Sequence, residues 1–277
     1  MFSKIKLENI ELTAANGYYI TAVKGLGYAT KYPVAKVAQF HGAKIGNAFY
    51  DNRVLEIDIK ILGTDVNDYI AKRKALFEEL TIHEFTTDLH TLEITLLNGI
   101  VITAEGVAQT LSDDVSNSLI AGDVAFTFEM QEPFFKSSQQ YQQDIYLTSG
   151  GGSEVPMAIP LDMTAGASGF TNISQTGNVF CYPEIYFYGK LTNPVLTNVT
   201  LGKTISLAVS LADATKWYYV DTYNRIVTDQ DDANVRDDMT GDFLVIATGN
   251  NEFSLTTNDM SETGFVRLIY KDYYISI

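Results

Sequence analysis

From Leu55 to Ile61 the chain alternates strictly: Leu55-Glu56-Ile57-Asp58-Ile59-Lys60-Ile61. A period of two puts Leu55, Ile57, Ile59 and Ile61 on one face of a strand and the charges on the other. A strand with one dry face and one wet face demands an antiparallel sheet with something packed on its dry side. The pattern returns in Val124-Ala125-Phe126-Thr127-Phe128-Glu129-Met130, which stops before Pro133. Two further runs, Leu92 to Leu97 and Ile100 to Ala104, flank Asn98-Gly99. Asn-Gly tolerates positive φ at both positions, so a hairpin with a two-residue type I′ turn is expected there.

One helix interrupts the strands. Between Thr64 and Leu80, the residues Tyr69, Arg73, Leu76, Phe77 and Leu80 fall on one face of a 3.6-residue period. Asp65 and Asp68 sit where the positive end of the helix dipole would be, so a helix over about 65–80 is expected. The second half carries no such period. Short runs at 184–188, 204–209, 217–221, 242–246 and 265–270 read as strands, separated by Gly189, Asn193-Pro194, Gly202, Asn224 and Gly249-Asn250-Asn251. Regular short strands with turn punctuation indicate an antiparallel β-sandwich. The fold class is therefore mainly β with one prominent helix.

Composition breaks set the organisation. Glu132-Pro133-Phe134-Phe135 leads into a Ser/Gln run, and Ser149-Gly150-Gly151-Gly152-Ser153 follows. These place one domain at 1–135, a connector at 136–153 and a second domain at 154–277. The segment from Gly25 to Asn52 has few clean strand signals but holds Tyr28, Tyr32, Phe40, Phe49 and Tyr50.

Charge removes several functions. The 277 residues carry 19 Lys plus Arg against 34 Asp plus Glu, a net charge of −15. Phosphate binding needs cations that displace counterions, so specific nucleic-acid binding is not expected. One cysteine, Cys181, rules out an intramolecular disulfide framework. Its apolar neighbours in Phe180-Cys181-Tyr182 mark a buried thiol. No run approaches the ~18 apolar residues of a membrane span, so no membrane insertion is expected. Lys4, Lys6, Glu8 and Glu11 break any signal-peptide core, so synthesis and folding in a cytoplasm are expected.

Candidate chemistry is thin. Gly202-Lys203-Thr204 ends like a phosphate loop, but Thr197 stands where the first glycine belongs and no helix follows. A strand-to-strand turn is the plainer reading. Asp229, Asp231, Asp232, Asp237 and Asp238 lack the calcium-loop glycine and glutamate, with Asn234 and Thr240 at those places. His83, Glu84, Asp88 and His90 lie close together without a zinc-binding spacing. No Gly-x-Ser-x-Gly elbow occurs. The sequons at Asn172 and Asn198 carry no meaning without secretion. No catalytic residue, metal ligand or cofactor site is assigned. Trp217, Tyr219 and Tyr223 are the one binding candidate, as a platform for sugar rings. Trp217 and Tyr219 would share a strand face; core packing is the competing explanation.

The order of these pieces resembles the distal tail (Dit) proteins of long-tailed, siphovirus-type bacteriophages. The resemblance is carried by Glu132-Pro133-Phe134-Phe135, the Asn172 to Asn178 stretch, and Tyr182-Pro183-Glu184-Ile185-Tyr186-Phe187-Tyr188-Gly189. Thr192 to Asn198 and Gly202-Lys203-Thr204-Ile205 continue it. The first half agrees through Arg53 ahead of the alternating strand, the helix and the hairpin. The resemblance implies a tail-tube-like N-terminal β domain with a helix and a galectin-like C-terminal β-sandwich. It implies a structural role without a cofactor: six copies in a ring at the virion tail tip, with DNA passing through the lumen. That ring would join the tail tube protein to a tail hub or tail-associated protein, to the baseplate or to receptor-binding proteins. Part of the Gly25 to Asn52 segment, with Tyr28, Tyr32, Phe40, Phe49 and Tyr50, would then serve as a ring-interface segment. The alternative is an adhesion module that binds host cell-surface polysaccharide, and a chain of this length has no room for an inserted carbohydrate module.

Overall fold

The computed structural model describes residues 2–27, 30–31, 33–36, 43–45, 49–81, 89–115, 119–147, 170–211, 213, 215–258 and 262–276. The chain divides into two compact units, Met1–Ser138 with Tyr274–Ile277, and Gln139–Tyr273.

In the first unit, antiparallel pairing runs Ile10–Leu12, Phe2–Leu7, His90–Leu96, Val101–Val115, Ala121–Met130, Val54–Leu62, Tyr18–Lys24. The alternating strand behaves as its period demands: Leu55, Ile57, Ile59 and Ile61 are buried, and Val54, Lys60 and Leu62 are exposed. Its partner supplies Val124, Phe126 and Phe128 to the same core. The 101–115 strand pairs with 90–96 through its first half and with 121–130 through its second, shifting register between Thr110 and Ser112. That bulge bends the strand. Gly106 sits where the pairing changes partner, and a Cβ there would meet the Glu129 carbonyl oxygen at 2.1 Å.

The helix Val66–Leu80 closes this core with Tyr69, Leu76 and Leu80, while Phe77 is half-buried. Asp65 caps it, its Oδ1 accepting from the Asp68 N–H at 2.9 Å. Asp68 in turn accepts from the Thr64 N–H and pairs with Lys72 one turn on. The Tyr18 hydroxyl donates to the Lys72 carbonyl at 2.9 Å and fixes the helix to the 18–24 strand. The Arg73 guanidinium lies 5.1 Å from the Phe77 ring, its stem along the apolar face.

Three local expectations change. The Asn98-Gly99 hairpin has a three-residue loop instead of a type I′ turn. Only Gly99 takes a positive φ there, +83°, with its N–H donating to the Leu96 carbonyl and the Leu96 N–H donating to Ile100. That is the regular turn followed by a left-handed glycine bulge. The 136–146 part of the expected connector is strand, within Phe135–Tyr146. Its glutamines fall on both faces of the strand and are exposed or half-exposed, so composition hid the pairing; residues 148–153 lie outside those described. The Gly25 to Asn52 segment holds two short pairings, Thr30–Lys31 with Phe49–Tyr50 and Val34–Lys36 with Ala43–Ile45. Pairings of two or three residues are too short for a period to register.

Among the described residues the second unit has two main antiparallel sheets, besides the short pairing of Leu191–Thr192 with Ser210–Leu211. One runs from Phe135–Tyr146 through Phe265–Tyr274, Glu184–Tyr188 and Trp217–Asp221 to Ile226–Asp229. The other runs Thr171–Gln175, Gly249–Thr256, Val195–Asn198, Lys203–Leu207, Met239–Gly241. Their inward residues include Ile185, Phe187, Val220, Val266 and Leu268 from the first, and Leu196, Ile205, Phe253 and Leu255 from the second, all buried. The Tyr270 hydroxyl donates across to the Ser174 carbonyl at 3.2 Å. Asp242 to Ile246, expected as a strand, is extended but unpaired apart from one bridge, Cys181 to Ile246. Leu244 and Ile246 are buried, so the apolar signal was real. The backbone there bonds to side chains and isolated partners: Asn198 donates to the Val245 carbonyl at 3.0 Å, and the Asp242 N–H donates to Thr204.

Candidate interaction surfaces

The outward face of the first sheet in the second unit is aromatic. Alternation turns Ile185 and Phe187 inward, so Tyr186 and Tyr188 point outward. On the next strand Val266 and Leu268 turn inward, leaving Phe265 and Arg267 outward. Cross-strand register then assembles the face. Tyr188 stands opposite both Trp217 and Phe265, and Tyr186 opposite both Tyr219 and Arg267.

The rings touch. Tyr188 and Phe265 stack at 5.3 Å, and Tyr146 approaches Phe265 at 5.6 Å. Tyr186 stacks on Tyr188 at 5.7 Å and lies 4.8 Å from Tyr219 and 5.8 Å from Trp217. Arg267 sits 5.5 Å from the Tyr188 and Phe265 rings and holds Asp144 in a bidentate pair at 2.7 and 2.9 Å. Burial, aided by the Glu184 charge, pushes the Tyr186 and Tyr219 hydroxyls up, so both stay neutral. Most of these rings are half-buried, and Tyr146 is 61% exposed.

Of the three residues singled out in the sequence, Trp217 and Tyr219 belong to this face, bridged by Tyr186. Tyr223 does not join them. It packs edge-on against Tyr182 at 5.1 Å, beyond the register pair Glu184 and Asp221, in a turn where Asp221 accepts from its N–H. Tyr146, Tyr186, Tyr188, Phe265 and Arg267 were missed because register across strands is not written along the chain. The Tyr-Phe-Tyr run at 186–188 was the available signal.

In the first unit, Phe49 is 52% exposed and the Tyr50 ring stands edge-on to Phe134 at 5.3 Å. Tyr28, Tyr32 and Phe40 lie outside the described residues. Nearby, Arg53 is buried with its guanidinium 4.8 Å from the Phe135 ring, and its Nη2 donates to the Ile275 carbonyl. Among the described residues its Nε and Nη1 have no hydrogen-bond partner, and burial depresses its pKa. The outer side of the helix carries a shallow cleft lined by Ile70, Arg73, Lys74, Phe77, Glu78 and Thr81. Ile70, Leu62, Leu97 and Leu119 are exposed apolar side chains of this unit.

The remaining candidates resolve into structure. Gly202 takes φ +63° in the turn between two paired strands. Asp229 accepts from the N–H groups of Asp231 and Ala233, closing a turn. Among the described residues no group of His, Cys, Asp and Glu converges as metal ligands. His83, Glu84 and Asp88 lie outside those residues, and His90 Nδ1 accepts from the Ala108 N–H at 3.4 Å. Cys181 is fully buried, and desolvation raises its thiol pKa. Asn198, in a sequon, is buried and bonded on both sides of its amide. Among the described residues no helix is long and apolar enough to cross a membrane.

No protein-family model matches the sequence, and no curated protein matches it. Solved structures do. Chains of the phage P2 baseplate in its activated conformation, with calcium and with strontium, align over 100% and 99% of both chains at 11% identity, with TM-scores of 0.48 and 0.47. The SPP1 Dit (gp 19.1) protein, a paradigm of the hub adsorption apparatus in Gram-positive infecting phages, aligns over 98% of each chain at 12% identity with a TM-score of 0.67. The mainly β architecture, with one α-helix among the described residues, is thus the fold of a phage Dit protein, through both units.

Proposed function

We propose that this chain is a structural protein of a bacteriophage tail tip, a distal tail protein of the tail hub or baseplate. The observation that carries the reading is the fold correspondence with the SPP1 Dit protein over 98% of both chains. On this reading six copies form a ring that joins the tail tube protein to the hub or tail-associated protein and to receptor-binding proteins. The first unit builds the ring, and the second is a galectin-like sandwich. The domain boundary lies within the Phe135–Tyr146 strand.

Two observations support the ring. A rotational ring needs two different complementary surfaces on each subunit. The first unit exposes apolar side chains in separate places: Phe49 on the short hairpin, Ile70 on the helix, Leu97 and Leu119 at strand ends. The net charge of −15 also suits a lumen that passes DNA. A like-charged wall repels phosphates over about one Debye length, ~8 Å at physiological salt. The role is structural, and assembly takes place in the bacterial host before incorporation into the virion.

The test is absolute mass by light scattering across a concentration series, alone and with the cognate tail tube protein, followed by negative-stain imaging. A mass near six times 30.7 kDa with an annular image is the expected outcome. A monomer at every concentration that also fails to bind the tube protein overturns the reading.

A further inference from the structure

We propose that the outward aromatic face of the second unit binds a neutral, pyranose-based glycan. The proposal stands on the side chains of that face and is independent of the tail-hub reading.

The first argument is arrangement. A transverse row crosses four strands: Tyr146, Phe265, Tyr188 and Trp217, each neighbouring the next by ring contact or by register. Strands lie ~4.8 Å apart, so three steps span ~14 Å, the scale of an oligosaccharide and not of one sugar. Beside it, Tyr186 and Tyr219 form a second row with Arg267 at its end. The parts of these half-buried rings that stay exposed can take the apolar C–H faces of pyranoses, and the tyrosine hydroxyls supply donors and acceptors.

The second argument is charge, which decides the class of ligand. Arg267, the cation at the end of the second row, is already neutralised by the bidentate pair with Asp144. Glu184 and Asp221 stand opposite each other in register just beyond Tyr186 and Tyr219. An anionic polymer would meet two carboxylates and no spare charge on Arg267. A neutral, hydroxyl-rich ligand meets acceptors and a fixed guanidinium edge.

Trp217 is the protein's only tryptophan, so its emission reports this face alone. The full-length protein is titrated with maltohexaose, cellohexaose and mannohexaose, and with heparin as an anionic control. The expected result is a saturable change with at least one neutral hexasaccharide, insensitive to added salt. Tyr186→Ala and Tyr188→Ala should each weaken binding about 10-fold, and Tyr223→Ala should leave it unchanged. Saturation-transfer NMR on the unmodified protein gives the same answer without any variant, through sugar-proton contacts. The proposal fails if no neutral sugar binds up to about 10 mM, tenfold above a weak Kd of about 1 mM. It also fails if heparin alone binds with salt dependence, if only a protein ligand perturbs Trp217, or if Tyr186→Ala binds as well as the parent.

Discussion

The two units enclose their cores by different means. The first lays a helix over its sheet; the second faces one sheet with another. A helix satisfies its own backbone except at its ends, where Asp65 caps the first turn and Thr81 donates to the Glu78 and Phe77 carbonyls of the last. A sandwich must also turn chain between its sheets, and those segments leave buried N–H and C=O groups without a ladder. The buried polar residues are distributed accordingly. Among the described residues the first unit buries Arg53 and Ser137, and the second buries Gln175, Asn198, Thr222, Asn251 and Asp272. Each of the second group bonds backbone: Gln175 to the Val179 carbonyl, Thr222 to the Pro183 carbonyl, Asp272 to the Thr176 N–H. Buried side-chain polarity therefore marks where a β-sandwich has run out of strand partners.

The largest effect that would sharpen this contrast is at Asn251. Its Oδ1 accepts from the Ala247 N–H at 2.9 Å, and its Nδ2 donates to the Ala247 and Gly249 carbonyls at 2.7 and 3.1 Å. Asn251→Ala leaves those backbone groups buried and unpaired, a loss of about 3 kcal/mol by urea unfolding. Ser137→Ala, at a buried position of the first unit, should cost under about 1 kcal/mol. Equal losses at the two positions would end the argument that the sandwich depends more on polar pins.

The helix cap comes next. Asp65→Ala should cost about 1 kcal/mol, and Asp65→Asn, which keeps the acceptor, only a small part of that. Thermal unfolding followed by helix circular dichroism separates the two variants. If Asn is as harmful as Ala, charge at the helix start and not the cap bond is what matters.

Legibility in the sequence followed the same divide. The helix was readable to within a residue because its period, its cap and its inward set Tyr69, Leu76 and Leu80 are all local. The strand from Leu55 to Ile61 was readable for the same reason. The 242–246 segment misled because Leu244 and Ile246 carry a strand's apolar spacing, while what pairs their backbone comes from Asn198 and Cys181, far away in sequence. The aromatic face was half-legible. Trp217 and Tyr219 could be placed on one side of a strand, but Tyr186, Phe265 and Arg267 join them only through register between strands separated by tens of residues. Tyr223 was grouped with them by sequence proximity, and the turn at Asp221 takes it to Tyr182.

The smallest effect sets the units against each other on the pH axis. In the first, hydrogen bonds from Lys72 and then from the Thr64 N–H hold the Asp68 carboxyl below its usual value of 3.8. Below that value the unfolded chain takes up a proton that the folded chain still refuses. The stability contributed by Asp68 is therefore present above pH 3.8 and lost as pH falls through the folded pKa. In the second unit, burial, with the Asp272 charge, pushes the Tyr270 hydroxyl from 10.0 up to about 12. Here the folded state keeps a proton that the unfolded chain releases. Stability is full below pH 10 and declines as pH rises towards about 12. Asp68→Asn should flatten the acid limb of a stability-against-pH curve and spare the alkaline limb; Tyr270→Phe should do the reverse. Chemical unfolding across the pH range, read by helix dichroism for the first unit and by Trp217 emission for the second, distinguishes the limbs. If Tyr270→Phe leaves the alkaline limb unchanged, the bond to the Ser174 carbonyl does not hold the two sheets as argued, and the other raised tyrosines of this unit, Tyr186, Tyr218 and Tyr219, become the groups whose ionisation opens the sandwich.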